Sequence, residues 1–126
     1  MTIAWEPDDQ RRIEAGIERY PAESNRCAAL ARIVYAVAQP RDERTRGIQI
    51  TPSAAPWLVL RKPLRRQWGS HTLIETQEHR VDALTGAGGC PAAEYLEAHF
   101  KFAQALIVRD VDVNTVDPWI EQEENE

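Results

Sequence analysis

Cys27, His71 and Asp82 are the three residues whose types and spacing could support nucleophilic catalysis. Cys27 stands at the start of the apolar run ESNRCAALARIVYAVA, residues 23–38, whose spacing is helical. A cysteine in the first turn of a helix lies near unpaired backbone amides and the positive end of the helix dipole, and both favour the thiolate. The same amides can donate hydrogen bonds to an oxyanion on a substrate carbonyl. The position predicts a nucleophile, with a small buried core residue as the alternative.

His71 and Asp82 fall on two neighbouring β-like runs, SHTLIE and EHRVDAL. If these runs form a hairpin about Gln77, the register that pairs Glu75 with Glu78 also pairs His71 with Asp82. Directly opposed residues project on the same face of a sheet, with Cβ atoms about 5 Å apart. An aspartate at that distance can accept the imidazole N–H and orient the ring. The sequence therefore predicts a base and its orienting carboxylate, delivered by a hairpin to a helix N-terminus.

The elements that must position these residues follow one another in a simple order. EPDDQRRIEAGIERYP predicts a first helix capped by Asp8 or Asp9, and Ser24 or Asn25 is an N-cap for a second helix that runs to about Gln39. Short β-like runs come next, namely IQI, WLVLR, SHTLIET and HRVDAL. A helical run, CPAAEYLEAHF, and a last strand, ALIVRDVDV, complete the pattern. Helices first and a mostly antiparallel sheet after them indicate the α+β class.

The composition of the 126 residues, 43% hydrophobic and 28% charged, fits one domain. We expect that domain at 1–120 and an acidic flexible tail, EQEENE, at 121–126.

No run is long enough to span a membrane and no cleavable leader opens the chain, so we expect a cytoplasmic protein or one exported into a target cell without a cleavable signal. The net charge of −5 disfavours general nucleic-acid binding. The candidate residues lack the close ligand pair of structural zinc sites, and we expect no metal or other cofactor.

Three further features have two interpretations each. Cys90 opens the third helical run, but no His–Asp hairpin is directed at it, so we interpret it as a structural or free thiol rather than a second nucleophile. The basic run RKPLRRQ, residues 61–67, is either a solvated loop or a rim that attracts an acidic partner. Trp68 either packs over the imidazole of His71 and excludes water or is an ordinary core residue.

The segments NRCAALARIVYAV, WGSHTLIE, HRVDALTGAGG and AAEYLEAHF place a cysteine at a helix start, a histidine on a strand and an aspartate on the next strand. Over about residues 20–100 the chain resembles the papain-fold toxin domains of bacterial polymorphic toxin systems, specifically the second such family, within the papain-like cysteine hydrolases. The resemblance implies a compact papain-like fold. It also implies a catalytic triad in which Cys27 is the nucleophile, His71 the base and Asp82 the orienting carboxylate.

The same resemblance implies a function. Papain-like enzymes cleave amide bonds, so the chain is expected to act on proteins as a protease or glutamine deamidase, or as a transglutaminase if an amine replaces water. All three reactions share a thioester intermediate. The expected role is that of a bacterial toxin or effector, with a protein substrate and an immunity protein as partners. The alternative is a non-catalytic interaction module with a papain-like shape.

The chain departs from papain-like proteases at the oxyanion hole. Those enzymes have a glutamine several residues before the cysteine, whereas the position six residues before Cys27 is Pro21. The candidate donors are the Cys27 backbone amide, the Asn25 side chain and Gln67, which is close to His71 in the chain. The sequence leaves these three open.

Overall fold

The computed structural model of the chain describes residues 2–116, which form a five-stranded sheet with helices on both faces. The helices and strands are α1 (Pro7–Arg19), α2 (Cys27–Ala38), β1 (Arg46–Pro52), β2 (His71–Thr76), β3 (His79–Val81), β4 (Cys90–Pro91), α3 (Ala92–His99) and β5 (Leu106–Val111). The strand order is β4-β3-β2-β1-β5 and all four pairings are antiparallel. The predicted α+β class, with helices packed on a mostly antiparallel sheet, is confirmed. The predicted tail at 121–126 and the last residues of the predicted domain lie outside the described residues.

The second helix, α2, is central to one face of the sheet. Its apolar residues Leu30, Val34 and Val37 are buried with Ile13 of α1 and Ile74 of β2. Alanines occupy most of the remaining positions of α2 and add little bulk, which suits a helix that is covered on most sides. The first turn of α2 is therefore held in place by packing against both α1 and β2.

The start of α2 differs from the prediction by one or two residues. Arg26 occupies the N-cap position, without a side-chain capping bond, so Cys27 is the first residue of the helix. Asn25 does not cap the helix, because its backbone is left-handed at φ 60° and reverses the chain after the short 3-10 helix Ala22–Ser24. The Ser24 hydroxyl accepts the Arg26 N–H at 3.2 Å instead of an amide inside the helix.

The predicted caps of the first helix are also wrong. The helix begins at Pro7, and Glu6 holds the N-cap position in an extended conformation. Asp8 and Asp9 consequently lie in the first turn. Their negative charges interact favourably with the positive end of the helix dipole, but neither residue caps the helix. A proline at the first helical position explains the earlier start, since it has no N–H to satisfy.

The run WLVLR, predicted as a strand, lies outside the sheet. Leu58 forms an isolated bridge with Trp68, and Leu60 forms one with Phe100. All four residues are buried with Ile50 of β1 in the core on the face opposite α2. The segment thus closes this core and fixes Trp68 three residues before His71, where the following strand begins.

The hairpin formed by β2 and β3 has a different register from the predicted one. The observed pairs are Ile74–Val81, Glu75–Arg80 and Thr76–His79. The predicted pairing of Glu75 with Glu78 is wrong by two residues. Because side chains alternate with a period of two, a shift of two residues leaves His71 and Asp82 on the same face.

The turn of this hairpin explains the shift. It contains only Gln77 and Glu78, with φ values of 51° and 63°, so both are left-handed, as in the two-residue turns typical of hairpins. The loop after α2 anchors the turn: Asp42 Oδ2 accepts the Gln77 N–H at 2.7 Å, and the hydroxyls of Thr45 and Thr76 are 2.7 Å apart. These bonds compensate for a turn that lacks glycine or asparagine.

Replacing Glu78 by glycine should stabilise the protein. A left-handed backbone costs an ordinary residue about 1–2 kcal/mol, and glycine avoids that cost, so we expect the free energy of unfolding to rise by about 1 kcal/mol in urea titrations. Glu94→Gly in α3 is the matched control and should lower it by about 1 kcal/mol, because glycine is unfavourable inside a helix. A lower unfolding midpoint for Glu78→Gly would contradict the turn described here.

Candidate active site

His71 is the first residue of β2 and is 2% exposed. Its Nε2 lies 2.7 Å from Asp82 Oδ2, so the prediction that the two side chains lie within hydrogen-bonding reach is confirmed. The indole of Trp68 stacks on the imidazole, with ring centroids 4.4 Å apart and an angle of 14° between the planes. Trp68 therefore covers the ring and is also a residue of the core, so both of its predicted roles apply.

Asp82 directly follows β3 and accepts four hydrogen bonds. Oδ1 accepts the backbone N–H groups of Leu84 at 2.9 Å and Thr85 at 3.0 Å, while Oδ2 accepts His71 and the phenol of Tyr95. Burial alone would raise the pKa of this carboxyl, but the bonds from His71, Tyr95 and Thr85 hold the pKa of Asp82 below its ordinary value. The side chain is thus ionised and fixed in direction at neutral pH.

Tyr95 is a site residue that the sequence analysis missed. It lies on α3, is 0% exposed, and donates its hydroxyl to Asp82. Burial and the charge of Asp82 raise the pKa of Tyr95 well above its ordinary value, so the phenol remains a donor. A buried tyrosine needs a hydrogen-bond partner, and this was the available signal, although spacing does not identify that partner.

The surroundings of His71 favour its protonated form. Burial lowers the pKa of His71, but the hydrogen bond to Asp82 and the interaction with Cys27 outweigh it and raise the pKa to about 9. The Cys27 side chain influences the ring even though Nδ1 has no hydrogen-bond partner of conventional geometry among the described residues. Because Nε2 is engaged by Asp82, Nδ1 is the ring nitrogen left for chemistry.

Cys27 lies in the first turn of α2, half-buried and not in a disulfide. Its sulfur accepts the backbone N–H of Thr72 at 3.5 Å. The observed register would pair Thr72 with Ala83 if β3 continued, but β3 ends at Val81 and the chain turns at Asp82. The thiol therefore occupies the place that a neighbouring strand would have filled, beside the residue that follows His71.

Two buried polar atoms of the residues around Cys27, His71 Nδ1 and Thr72 Oγ1, have no hydrogen bond of conventional geometry within residues 2–116, although His71 interacts with Cys27. Both residues line one small cavity with Cys27, and its volume is about 10 Å³, enough for about one water molecule. An unpartnered buried polar group costs about 1–3 kcal/mol, so native proteins keep few of them. A water molecule or a bound group in the cavity could supply the missing bonds.

The other predicted site residues are divided between two places. Asn25 lines the mouth of the cavity, where it is exposed. Gln67 is exposed and lines a separate groove on the far side of Trp68, so the structure does not bring it to the cavity. Cys90 lies in the short strand β4 and directly precedes Pro91, the N-cap residue of α3, so its predicted place at the N-terminus of a helix is confirmed. Burial raises the pKa of Cys90, which disfavours a nucleophilic thiolate there.

No group of three His, Cys, Asp or Glu side chains within the described range 2–116 is arranged to hold a metal ion. None of the helices described in that range is both long enough and apolar enough to cross a membrane.

Comparisons with protein-family models, with curated proteins and with solved structures found no match to this chain.

Asp82→Asn should lower the pKa of His71. In the wild type we expect the ring to titrate at about 9 by NMR, and in the variant the pKa should fall, because burial persists while the carboxylate is gone. The pKa of His99 should change in the same direction, because burial lowers it and the charge of Asp82, which opposes that effect, is gone in the variant. An unchanged His71 titration in Asp82→Asn would contradict the pairing.

The raised pKa of His71 makes the free energy of unfolding depend on pH. The pKa of His71 is higher in the folded chain, about 9, than the ordinary histidine value of about 6.5. Its contribution to the free energy of unfolding is therefore fully present below about pH 6.5 and is lost as the pH rises through about 9.

Proposed function

We propose that the protein is a cysteine hydrolase that acts on amide bonds of proteins, with Cys27 as the nucleophile, His71 as general base and acid, and Asp82 as the residue that orients His71. The observation that carries the proposal is the cavity in which a cysteine at a helix N-terminus adjoins a buried His–Asp pair. A core cysteine needs neither neighbour, and aliphatic packing around it would have supported the core interpretation instead.

The first half-reaction uses the charges that the site already holds. The positive end of α2 and the imidazolium of His71 both favour the thiolate of Cys27. The thiolate attacks the carbonyl carbon, a C–S bond forms, and the carbonyl electrons move to oxygen. When this intermediate collapses, the C–N bond breaks and His71 gives its Nδ1 proton to the leaving nitrogen. A thioester on Cys27 remains.

The second half-reaction restores the enzyme. Neutral His71 takes a proton from water as the water oxygen attacks the thioester carbon. Collapse of the second intermediate breaks the C–S bond, releases a carboxylic acid and returns the thiolate and imidazolium. Asp82 stays ionised throughout and holds Nε2, so that Nδ1 faces the reacting groups. A protease and a glutamine deamidase would share these steps, and a transglutaminase would replace water by an amine.

A groove beside the cavity supports a protein substrate. Trp68 separates the two, since it stacks on His71 and also lines a groove of about 300 Å³ with Trp57 and Leu60. Trp57 is 45% exposed, although large aromatic side chains are usually buried, and an exposed apolar surface next to a site is typical of contact with a ligand. Arg66 lies at the same groove, so an apolar residue with acidic neighbours would suit it.

The resemblance to papain-fold toxin domains adds a biological setting to the proposal. In that setting the protein is a bacterial toxin or effector that modifies proteins of a target cell, and an immunity protein would block the site. A non-catalytic interaction module with the same shape is the alternative, and the two experiments below separate it from the enzyme.

Thiol reactivity tests the nucleophile. At about pH 6, well below the pKa of an ordinary thiol, iodoacetamide should alkylate Cys27 at least about tenfold faster than Cys90, because only a thiolate reacts. Mass spectrometry of Cys27→Ala and Cys90→Ser gives the two rates separately. Slow alkylation of Cys27, at the rate of Cys90 or below it, would favour the interaction module.

Activity tests the triad. Expression in bacterial target cells should be toxic for the wild type and for Cys90→Ser, and harmless for Cys27→Ala and His71→Ala. Asp82→Asn should keep the fold and lower turnover by about 10²–10⁴-fold, because the amide favours the wrong imidazole tautomer. Mass spectrometry of cell proteins would identify new chain ends or glutamine-to-glutamate changes. Inactivation by Cys90→Ser with a harmless Cys27→Ala would overturn the assignment.

A further inference from the structure

Thr72 offers a polar group for which the proposed mechanism has no role so far. We propose that its hydroxyl donates a hydrogen bond to the substrate carbonyl oxygen as that oxygen becomes an oxyanion, which makes Thr72 a further catalytic residue. The inference rests on the proposed function, because it requires attack by Cys27 on a carbonyl. It fills the position that the sequence left open among the Cys27 amide, Asn25 and Gln67.

The hydroxyl of Thr72 is buried and has no hydrogen-bond partner among the described residues. Thr72 is 1% exposed, and its Oγ1 has no hydrogen-bond partner in the described part of the chain. Thr45 and Thr76, the other two buried threonines of the described residues, satisfy each other with their hydroxyls 2.7 Å apart. A buried hydroxyl is normally paired in this way, so the unpaired one at the cavity has a hydrogen bond to give to a water molecule or to a bound carbonyl oxygen.

Thr72 adjoins the two central residues of the site, Cys27 and His71. The backbone N–H of Thr72 donates to Cys27 Sγ at 3.5 Å, and both residues line the same small cavity. Thr72 also directly follows His71 on β2, an interior strand of the sheet, and is itself paired with Gln49 of β1. A donor on an interior strand is held rigidly before the substrate arrives, and such preorganisation is what makes an oxyanion donor effective.

The other candidate side-chain donors are more exposed than Thr72. Asn25 is exposed at the mouth of the cavity, and Gln67 lies outside it. A hydrogen bond to developing charge is stronger where water is excluded than at an exposed surface. Thr72 is the buried donor of the three, and the Cys27 backbone amide at the start of α2 can supply a second bond.

The test separates attack on a carbonyl from attack on an alkyl carbon. The probes are p-nitrophenyl acetate, which forms an oxyanion when the thiolate attacks it, and iodoacetamide, which forms none. Thr72→Val keeps the shape of the side chain and the N–H bond to sulfur but removes the hydroxyl. We expect its rate of acetylation at Cys27 to fall by about 10²–10³-fold, with alkylation unchanged. Thr72→Ser should restore acetylation, and Thr51→Val on β1 is the control for a strand threonine outside the cavity.

The outcomes distinguish the inference from the proposed function. Equal acetylation of Thr72→Val and wild type would overturn the role of Thr72 and leave the nucleophile in place. A parallel loss of alkylation would also overturn it, since the hydroxyl would then act on the thiol. If wild-type Cys27 is not acetylated at all, the proposed function itself fails. Circular dichroism checks folding, and Thr72→Ala replaces the valine variant if that variant does not fold.

Discussion

The hydrogen bond between His71 Nε2 and Asp82 Oδ2 is the interaction on which the rest of the site depends. Both side chains are 2% exposed, and taking two charged groups out of water is costly unless further hydrogen bonds satisfy them. Tyr95 on α3 and the backbone of Thr85 supply those bonds to the carboxylate. Removing one partner of a buried ion pair typically destabilises a protein by about 3–5 kcal/mol, so the helix, the hairpin and the loop that meet here are coupled.

The early end of β3 creates the opening that the side chain of Cys27 occupies. A longer strand would have paired with Thr72, whereas the turn at Asp82 leaves the Thr72 N–H to the sulfur of Cys27. The same turn supplies the amides that orient Asp82. One short strand therefore positions the Asp82 carboxylate and leaves room for the first turn of α2. The burial of α2 by apolar residues on most sides keeps that turn in register with the sheet.

The sequence predicted the parts of this arrangement that depend on local patterns. Alternation along β2 and β3 placed His71 and Asp82 on one face, and the apolar run after Cys27 predicted the central helix. The register was wrong because the turn residues, Gln77 and Glu78, carry no glycine or asparagine to mark a two-residue turn. The face was still right, since the error was an even number of residues.

Contacts between distant segments could not be predicted from spacing. The bond from the Thr72 amide to Cys27 joins residues 45 apart, and the bond from Tyr95 to Asp82 depends on how α3 packs on the sheet. Gln67 is the opposite case. It is close to His71 in the chain, which suggested that the two share a site, yet Trp68 lies between Gln67 and the imidazole of His71. Local patterns therefore identified the central residues, and tertiary packing determined which neighbours complete them.

The state of the Cys27 sulfur is the central claim, and the ultraviolet absorbance of the thiolate measures it directly. The titration is done on Cys90→Ser, so that Cys27 is the single cysteine of the chain. With His71 intact, the thiolate signal should persist into mildly acidic solution, and in His71→Ala it should appear only as the pH approaches the ordinary thiol value of about 8.5. A signal that appears only near that ordinary value with His71 intact would contradict an ion pair between His71 and Cys27, and with it the proposed chemistry.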